Sequence, residues 1–272
     1  MKTKSIYISL IAVFLLVAVI TGGVVLYQHQ DGNASEQAFN ELEQLIAEPT
    51  ESSEPAMEDE TEAAADEINP ESSEEDAEIA EALAAYEKYK ALYEQNEDFV
   101  GWISIADTKI NYPVMQSADN PDFYLKHGFD KSYSNYGVPY ADEACAIGLS
   151  NNIVIYGHNM KNGSMFSDLL QYASADFCAE NPIICFDTLS RLSKYQVIAV
   201  FRFDTNNETF RYNEYVDMNE ETFAEFMENC NARKLYDTGV TAEYGDELIT
   251  LSTCEYTYEN GRFVVVAKKV TE

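Results

Sequence analysis

The larger, C-terminal part of this chain predicts a mainly β fold, closed or nearly closed into a barrel, with helices at its periphery. Three observations carry that expectation. Short β-type runs recur from Trp102 onward, Gly and Asn punctuate them (Asn206-Asn207, Asn260-Gly261), and only three segments in between have helical character. Many short strands separated by turn residues are what a barrel requires.

Taken in order, residues 1–5 form a short segment holding Lys2 and Lys4, and an uncharged, mostly apolar run follows from Ile6 to Tyr27. A run of about 22 residues, at roughly 1.5 Å per residue, matches the hydrocarbon thickness of a bilayer. A cleaved secretory signal has a shorter apolar core ending in a small-x-small site, and none stands near Leu26. The run 6–27 is therefore expected to be an uncleaved transmembrane anchor. Positive charge precedes it and almost none follows closely, which puts residues 1–5 in the cytoplasm and the remainder outside.

Residues 28–75 are expected to be an acidic disordered stalk. The chain carries a formal charge of −31, and between Gln28 and Asp98 there are 23 acidic residues against Lys88 and Lys90. Stretches such as Glu51-Ser-Ser-Glu54 and Glu71-Ser-Ser-Glu-Glu-Asp76 repel themselves and offer little apolar surface to offset chain entropy. With no contact to the folded part foreseeable, removal of residues 1–69 is expected to leave a soluble, active domain. Residues 76–98 differ, because alanines with Ile79, Leu83, Tyr86, Leu92 and Tyr93 predict a helix whose apolar face packs on the C-terminal domain.

The domain proper, 99–272, still has 25 acids against 13 bases. Phosphate recognition needs a basic face, so nucleic acid is excluded as a partner. Strands are expected over 102–105, 110–114, 153–156, 183–186, 195–203, 248–252 and 263–268, and helices over 121–126, 164–172 and 220–231. The last helix has Phe223, Phe226 and Met227 on one face and Asn219 as its N-cap.

The candidate chemistry sits at three strand ends. Glu247-Leu-Ile-Thr-Leu-Ser-Thr-Cys254 delivers a thiol, and the link from Glu255 to Gly261 returns the chain through Arg262-Phe-Val-Val-Val-Ala267, setting a guanidinium beside the sulfur. Ile153-Val-Ile-Tyr-Gly157 ends on His158, with Gly157 permitting close backbone approach. Thiol, imidazole and guanidinium are the parts needed for acyl transfer through a thioester. Nearby positive charge favours thiolate, an imidazole moves protons, and the rigid guanidinium fork suits either a substrate carbonyl or a tetrahedral oxyanion. Alone, Cys254 reads as a buried inert thiol and Arg262 as a solvated strand-end charge.

His29 borders the apolar run, and His127 reads as a surface or capping residue. Cys178, Cys185 and Cys230 read as small buried hydrophobes. The odd total of five cysteines leaves at least one thiol unpaired, and a disulfide among these three stays open. A zinc site would need more His or Cys ligands than converge here. Papain-like enzymes place Cys before His, and the caspase spacing and signature are absent.

Ile-Tyr-Gly-His-Asn-Met (155–160), Gly-Ser-Met-Phe (163–166), Thr-Leu-Ser-Thr-Cys (250–254) and Arg-Phe-Val-Val-Val-Ala-Lys (262–268) stand in order within roughly 99–270. Together they closely resemble sortases, and among these the class B members. The resemblance implies a sortase-type closed β-barrel and a membrane-anchored cysteine transpeptidase on the outer face of a Gram-positive-type cell. Such an enzyme cuts a C-terminal sorting signal of the Asn-Pro-x-Thr-x or Pro-x-Thr-Gly type after Thr, through a thioester. It then joins the exported protein to a peptidoglycan amine.

The resemblance also implies roles for particular residues. Cys254 would be the nucleophile, His158 the general acid and then base, and Arg262 the group for oxyanion or substrate orientation. Ser252 would face the peptide, with Leu125 and Tyr124 as further candidate contacts, and the connection from Thr205 to Tyr244 would form one groove wall. No cofactor is implied, since calcium assists some sortases but not class B members in general. Many class B relatives have an aspartate near the cysteine; here Glu255-Tyr256 follows, and strand alternation turns Glu255 away from the thiol.

Two other readings stay open. A pilin-polymerising sortase often has an Asp-Pro-Trp-type lid motif, which is absent here. A non-catalytic surface-binding barrel would not need the intact trio of Cys254, His158 and Arg262.

Overall fold

The computed structural model describes residues 2–47, 70–206, 209–257 and 259–270. Two helices, α1 (Lys2–Ala47) and α2 (Pro70–Gln95), precede a closed barrel. Its strands are β1 (Phe99–Ile105), β2 (Asn111–Met115), β3 (Tyr140–Ala141), β4 (Asn152–Tyr156), β5 (Ile183–Thr188), β6 (Lys194–Asp204), β7 (Leu248–Glu255) and β8 (Gly261–Lys269). They close in the order β1-β2-β3-β4-β7-β8-β6-β5. Every strand expected from the sequence is present; β3, with two residues, is too short for any period to announce it.

The centre of the barrel reads as near-continuous apolar runs. Val197 to Phe201 of β6 and Phe263 to Ala267 of β8 are all buried, because α4 (Glu220–Arg233) lies over β6 and removes the polar face that a half-exposed strand would show. Asn219 closes α4 as expected. Its side chain accepts from Thr222 N at 2.9 Å while the Thr222 hydroxyl accepts from Asn219 N at 2.9 Å. The helices expected over 121–126 and 164–172 are 3-10 turns, Phe123–Leu125 and Phe166–Ala173, and a short α3 follows at Ala175–Glu180.

The N-terminal expectations need correction. Residues 28–47 and 70–75, assigned to the disordered stalk, are helical; the middle of that stalk, 48–69, lies outside the described residues. Phe39 and Leu42 are buried, with Ile46 packed beside them, so spacings of three and four residues make an apolar stripe within acidic sequence. Phe39 meets Tyr112 of β2 edge-on at 5.2 Å between ring centroids. The Asp31 carboxylate accepts from Ser134 Oγ and Asn135 N, both at 3.0 Å. Removing residues 1–69 therefore strips a docked helix from the barrel, contrary to the expectation of no contact.

Phe39→Ala should raise hydrogen exchange over residues 31–46 well before the barrel melts, because an edge-on aromatic pair contributes about 0.5–1.5 kcal/mol beyond its buried area. Unchanged protection there would mean that the polar contacts of Asp31 alone hold the helix.

In α2 the buried face is Ala85, Tyr89 and Leu92, whereas Ile79, Leu83 and Tyr86 of the expected face are exposed. Tyr89 donates to Asp187 of β5 at 2.7 Å, and Lys88 pairs with the same carboxylate at 3.1 Å. Among the described residues no helix is long and apolar enough to cross a membrane. The run 6–27 falls within α1, and most of its side chains lie outside the described residues.

Candidate active site

The pairing of β4 with β7 is parallel, from Asn152↔Leu248 to Tyr156↔Ser252. Parallel neighbours end at the same rim of a barrel, so the chain leaving β4 and the end of β7 emerge side by side. His158 lies two residues past Tyr156, as Cys254 lies two past Ser252. The antiparallel β7–β8 pair then sets Cys254 directly opposite Arg262, and directly opposed residues hold their Cβ atoms roughly 4.5–5.5 Å apart. Three strand ends thus bring the predicted trio to one rim.

His158 is half-buried, and its Nε2 lies 2.8 Å from the Leu125 carbonyl oxygen. A carbonyl can only accept, so Nε2 carries the proton and donates, which leaves the lone pair on Nδ1. Burial pushes the imidazole pKa below its usual 6.5, with Lys126 adding to the effect and the Leu125 bond opposing it. The ring is uncharged at neutral pH.

Gly157 makes the approach to this ring possible. A Cβ there would lie 2.5 Å from Phe166 Cγ, and Phe166 is fully buried. Gly157→Ala must displace either the ring or the backbone that carries His158. A misplacement of about 1 Å is worth on the order of 100-fold in rate, so turnover of the alanine variant should fall on that scale; near-normal turnover would show that Phe166 yields freely.

Arg262 is half-buried, and its Nη1 donates to Gly261 O at 3.1 Å. Its charge acts on Tyr140 and Tyr212, and the Cys254 sulfur also acts on Tyr212. Tyr212 therefore belongs to the site's surroundings. It lies in the connection between β6 and β7, is buried, and shares a 2.7 Å hydrogen bond with Ser252 Oγ. The same connection lies along β4: Asn152 N donates to Val216 O at 3.1 Å and Asn152 Nδ2 to Tyr215 O at 2.8 Å. These bonds meet β4 at Asn152, the end away from the rim, whereas Tyr212 meets β7 at Ser252, two residues before Cys254.

The candidate peptide contacts fare unevenly. Ser252 shares the Cys254 face of β7 but is 1% exposed and committed to Tyr212. Tyr124 is fully buried; its hydroxyl donates to Asp98 at 2.7 Å and accepts from Asn96 at 2.9 Å. Its side chain holds the fold and is closed to a peptide, which corrects the reading of Tyr124. Leu125 is half-buried, and its carbonyl orients His158. Glu255 accepts from Thr257 N at 2.9 Å and faces Arg202 Nε at 3.7 Å, on the side of the strand opposite the thiol, as alternation requires.

All five cysteines are free. Burial pushes the Cys145 and Cys230 thiols up to about 12 and raises those of Cys178 and Cys185. Cys145, Cys178 and Cys230 are buried and Cys185, expected to be buried, is half-buried; raised values keep these four thiols protonated at neutral pH, and Cys254 stands half-exposed at the rim.

The family model for the sortase domain matches residues 103–270. The chain belongs to the sortase family. Among its relatives, sortase B of Listeria monocytogenes is 36% identical over 189 residues, covering 68% of this chain and 75% of that protein. Sortase B of Staphylococcus aureus is 30% identical over 185 residues, covering 66% and 74%. The X-ray structure of Clostridium perfringens sortase B superposes with a TM-score of 0.60 at 30% identity, covering 67% of this chain and 99% of that one. A Staphylococcus aureus sortase B–substrate complex gives 0.61 at 27% identity, covering 74% and 98%. This sortase is of the class B type, a cysteine transpeptidase on a closed eight-stranded barrel.

Sequence reasoning missed two neighbours of the sortase site. Asn159 directly follows His158 within the segment 155–160, and its side chain reaches the Cys254 carbonyl. Tyr212 carried no signal, since its connection has no period to place it on a face.

Proposed function

We propose that Cys254 is the nucleophile, His158 the proton carrier and Arg262 the oxyanion or carbonyl ligand of a transpeptidase acting on a sorting signal. The pairing of Cys254 with Arg262 across β7 and β8, beside the end of β4, is the observation that carries this reading. The substrate is an exported protein ending in an Asn-Pro-x-Thr-x or Pro-x-Thr-Gly type signal. The acceptor is a peptidoglycan amine. The apolar run 6–27 anchors the enzyme in the membrane, with the N-terminus cytoplasmic and the barrel outside.

In this mechanism the neutral imidazole accepts the thiol proton at Nδ1 as sulfur attacks the threonine carbonyl. Arg262 stabilises the tetrahedral oxyanion, and the imidazolium then protonates the leaving amine. A thioester on Cys254 remains. The incoming amine attacks it, gives its proton back to the imidazole, and the thiol is restored as the new amide forms. We take the β6–β7 connection, which meets β7 through the Tyr212–Ser252 bond beside the thiol, as one wall of the peptide groove.

Incubating the protein with a small library of sorting peptides and an amine acceptor, with products read by mass spectrometry, tests the reading. Cleavage after Thr with formation of the amine adduct is the expected outcome; cleavage elsewhere, or none, contradicts it. Arg262→Lys should cut kcat/KM by about 100-fold or more, the scale of a lost oxyanion donor, because an ammonium cannot reproduce a planar fork. Steady-state kinetics near those of the parent would mean that charge alone suffices.

A further inference from the structure

The backbone ladder between β4 and β7 stops just short of the reacting groups. Gly157 N donates to Ser252 O at 3.1 Å, and from there side chains carry the seam onward. Thr253 Oγ1 donates to Gly157 O at 2.7 Å, Asn159 Nδ2 donates to Cys254 O at 3.0 Å, and the Tyr256 hydroxyl donates to Asn159 O at 3.3 Å. Asn159 is thereby tied through its side chain to β7 and through its main chain to Tyr256, just past that strand's end.

The loop behind Asn159 is closed as well. Asn159 pairs with Met165 in an isolated β-bridge, Phe166 N donates to His158 O at 2.9 Å, and Ser167 Oγ donates to Met160 O at 2.8 Å. Met165 holds a left-handed φ of 56°, a conformation that a non-glycine residue keeps only where its surroundings over-determine it. A braced loop can transmit position, and the Asn159 carboxamide is where this one bonds to the residue bearing the nucleophile.

We propose that Asn159 is a positioning residue, whose hydrogen bond to the Cys254 carbonyl sets the spacing and angle between the His158 imidazole and the Cys254 thiol. This rests on the reading of Cys254 and His158 as the reacting pair. The residue type suits the task. A carbonyl must be met by a donor, the short carboxamide reaches it from the adjacent chain, and a carboxylate of the same shape would repel it. Freeing the Cys254 carbonyl lets the Cys254–Glu255 peptide and the histidine loop drift independently, and drift on the order of 1 Å costs about 100-fold in rate.

The test compares the full chain with Asn159→Ala, Asn159→Asp and Asn159→Gln. One measurement is the rate of iodoacetamide alkylation at Cys254 across pH, read by peptide mapping, which needs no sorting peptide. The other is kcat and KM for a cleaved sorting peptide. The expected result for Ala and Asp is a shifted alkylation profile and a kcat lower by about 10- to 100-fold, with little change in KM and near-parental melting. Gln, which keeps the donor, should recover part of the loss. Parental alkylation and kcat in the Asp variant would overturn the proposal, as would a loss that appears only together with collapse of the melting transition. If the parent alkylates at Cys254 but cuts no sorting peptide, the substrate assignment fails, and the alkylation profiles still decide the role of Asn159.

Discussion

Cys254→Ala is expected to abolish both peptide cleavage and acyl-enzyme formation while the barrel melts almost as before. The side chain is half-exposed at the rim, and losing one sulfur there costs stability of about 0.5 kcal/mol or less. No other thiol can substitute, because burial holds Cys145, Cys178, Cys185 and Cys230 protonated. Fluorogenic-peptide turnover and a thermal melt on the same preparation separate the chemical loss from any structural one. Turnover above a few per cent of the parental rate would remove Cys254 from the role of nucleophile.

His158→Ala is expected to lower kcat by about 10²–10⁴-fold, the range for losing a general acid–base group, with a smaller effect on KM. The same residue has a thermodynamic signature. Its folded pKa lies below the usual 6.5 because of burial, so in the window just under that value the unfolded chain binds more protons than the folded one. The contribution of His158 to stability is therefore complete above the unfolded value and is lost as pH falls toward the folded one. In His158→Asn this component should vanish, so the difference in stability between parent and variant should change with pH below 6.5 and be flat above it. A difference that is flat throughout would mean that the ring titrates as if exposed.

Much of this was legible in the sequence, for physical reasons that differ from element to element. The β7–β8 pairing was readable because two apolar runs joined by a short polar link have few ways to pair, and the apolar pattern sets the register. His158 was readable as a strand terminus, but its partner in β7 was not. Parallel pairing of β4 with β7 joins segments nearly a hundred residues apart, and no local signal reports it. The docking of α1 was hidden by composition: Phe39, Leu42 and Ile46 form a stripe too thin to outweigh the surrounding acids. The face of α2 was placed only in part: Leu92 is buried and Tyr93 packs on the core, but Ile79, Leu83 and Tyr86, which repeat with the same spacing as Ala85, Tyr89 and Leu92, are exposed. Full burial of Ala85 and Tyr89, with the Tyr89 bond to Asp187, marks the second set. Tyr124 was placed in the right neighbourhood and given the wrong task, since sequence does not say whether a tyrosine near a site faces in or out.

Intact-mass and peptide-mapping analysis of the protein quenched during turnover of a sorting peptide is the measurement that bears most directly on the central claim. An adduct equal to the peptide cut after Thr, attached through a hydroxylamine-labile bond to the segment containing Cys254, is the predicted result, and it should disappear when the amine acceptor is added in excess. Cleavage of the peptide with no adduct at Cys254, or an adduct on another cysteine, would contradict it.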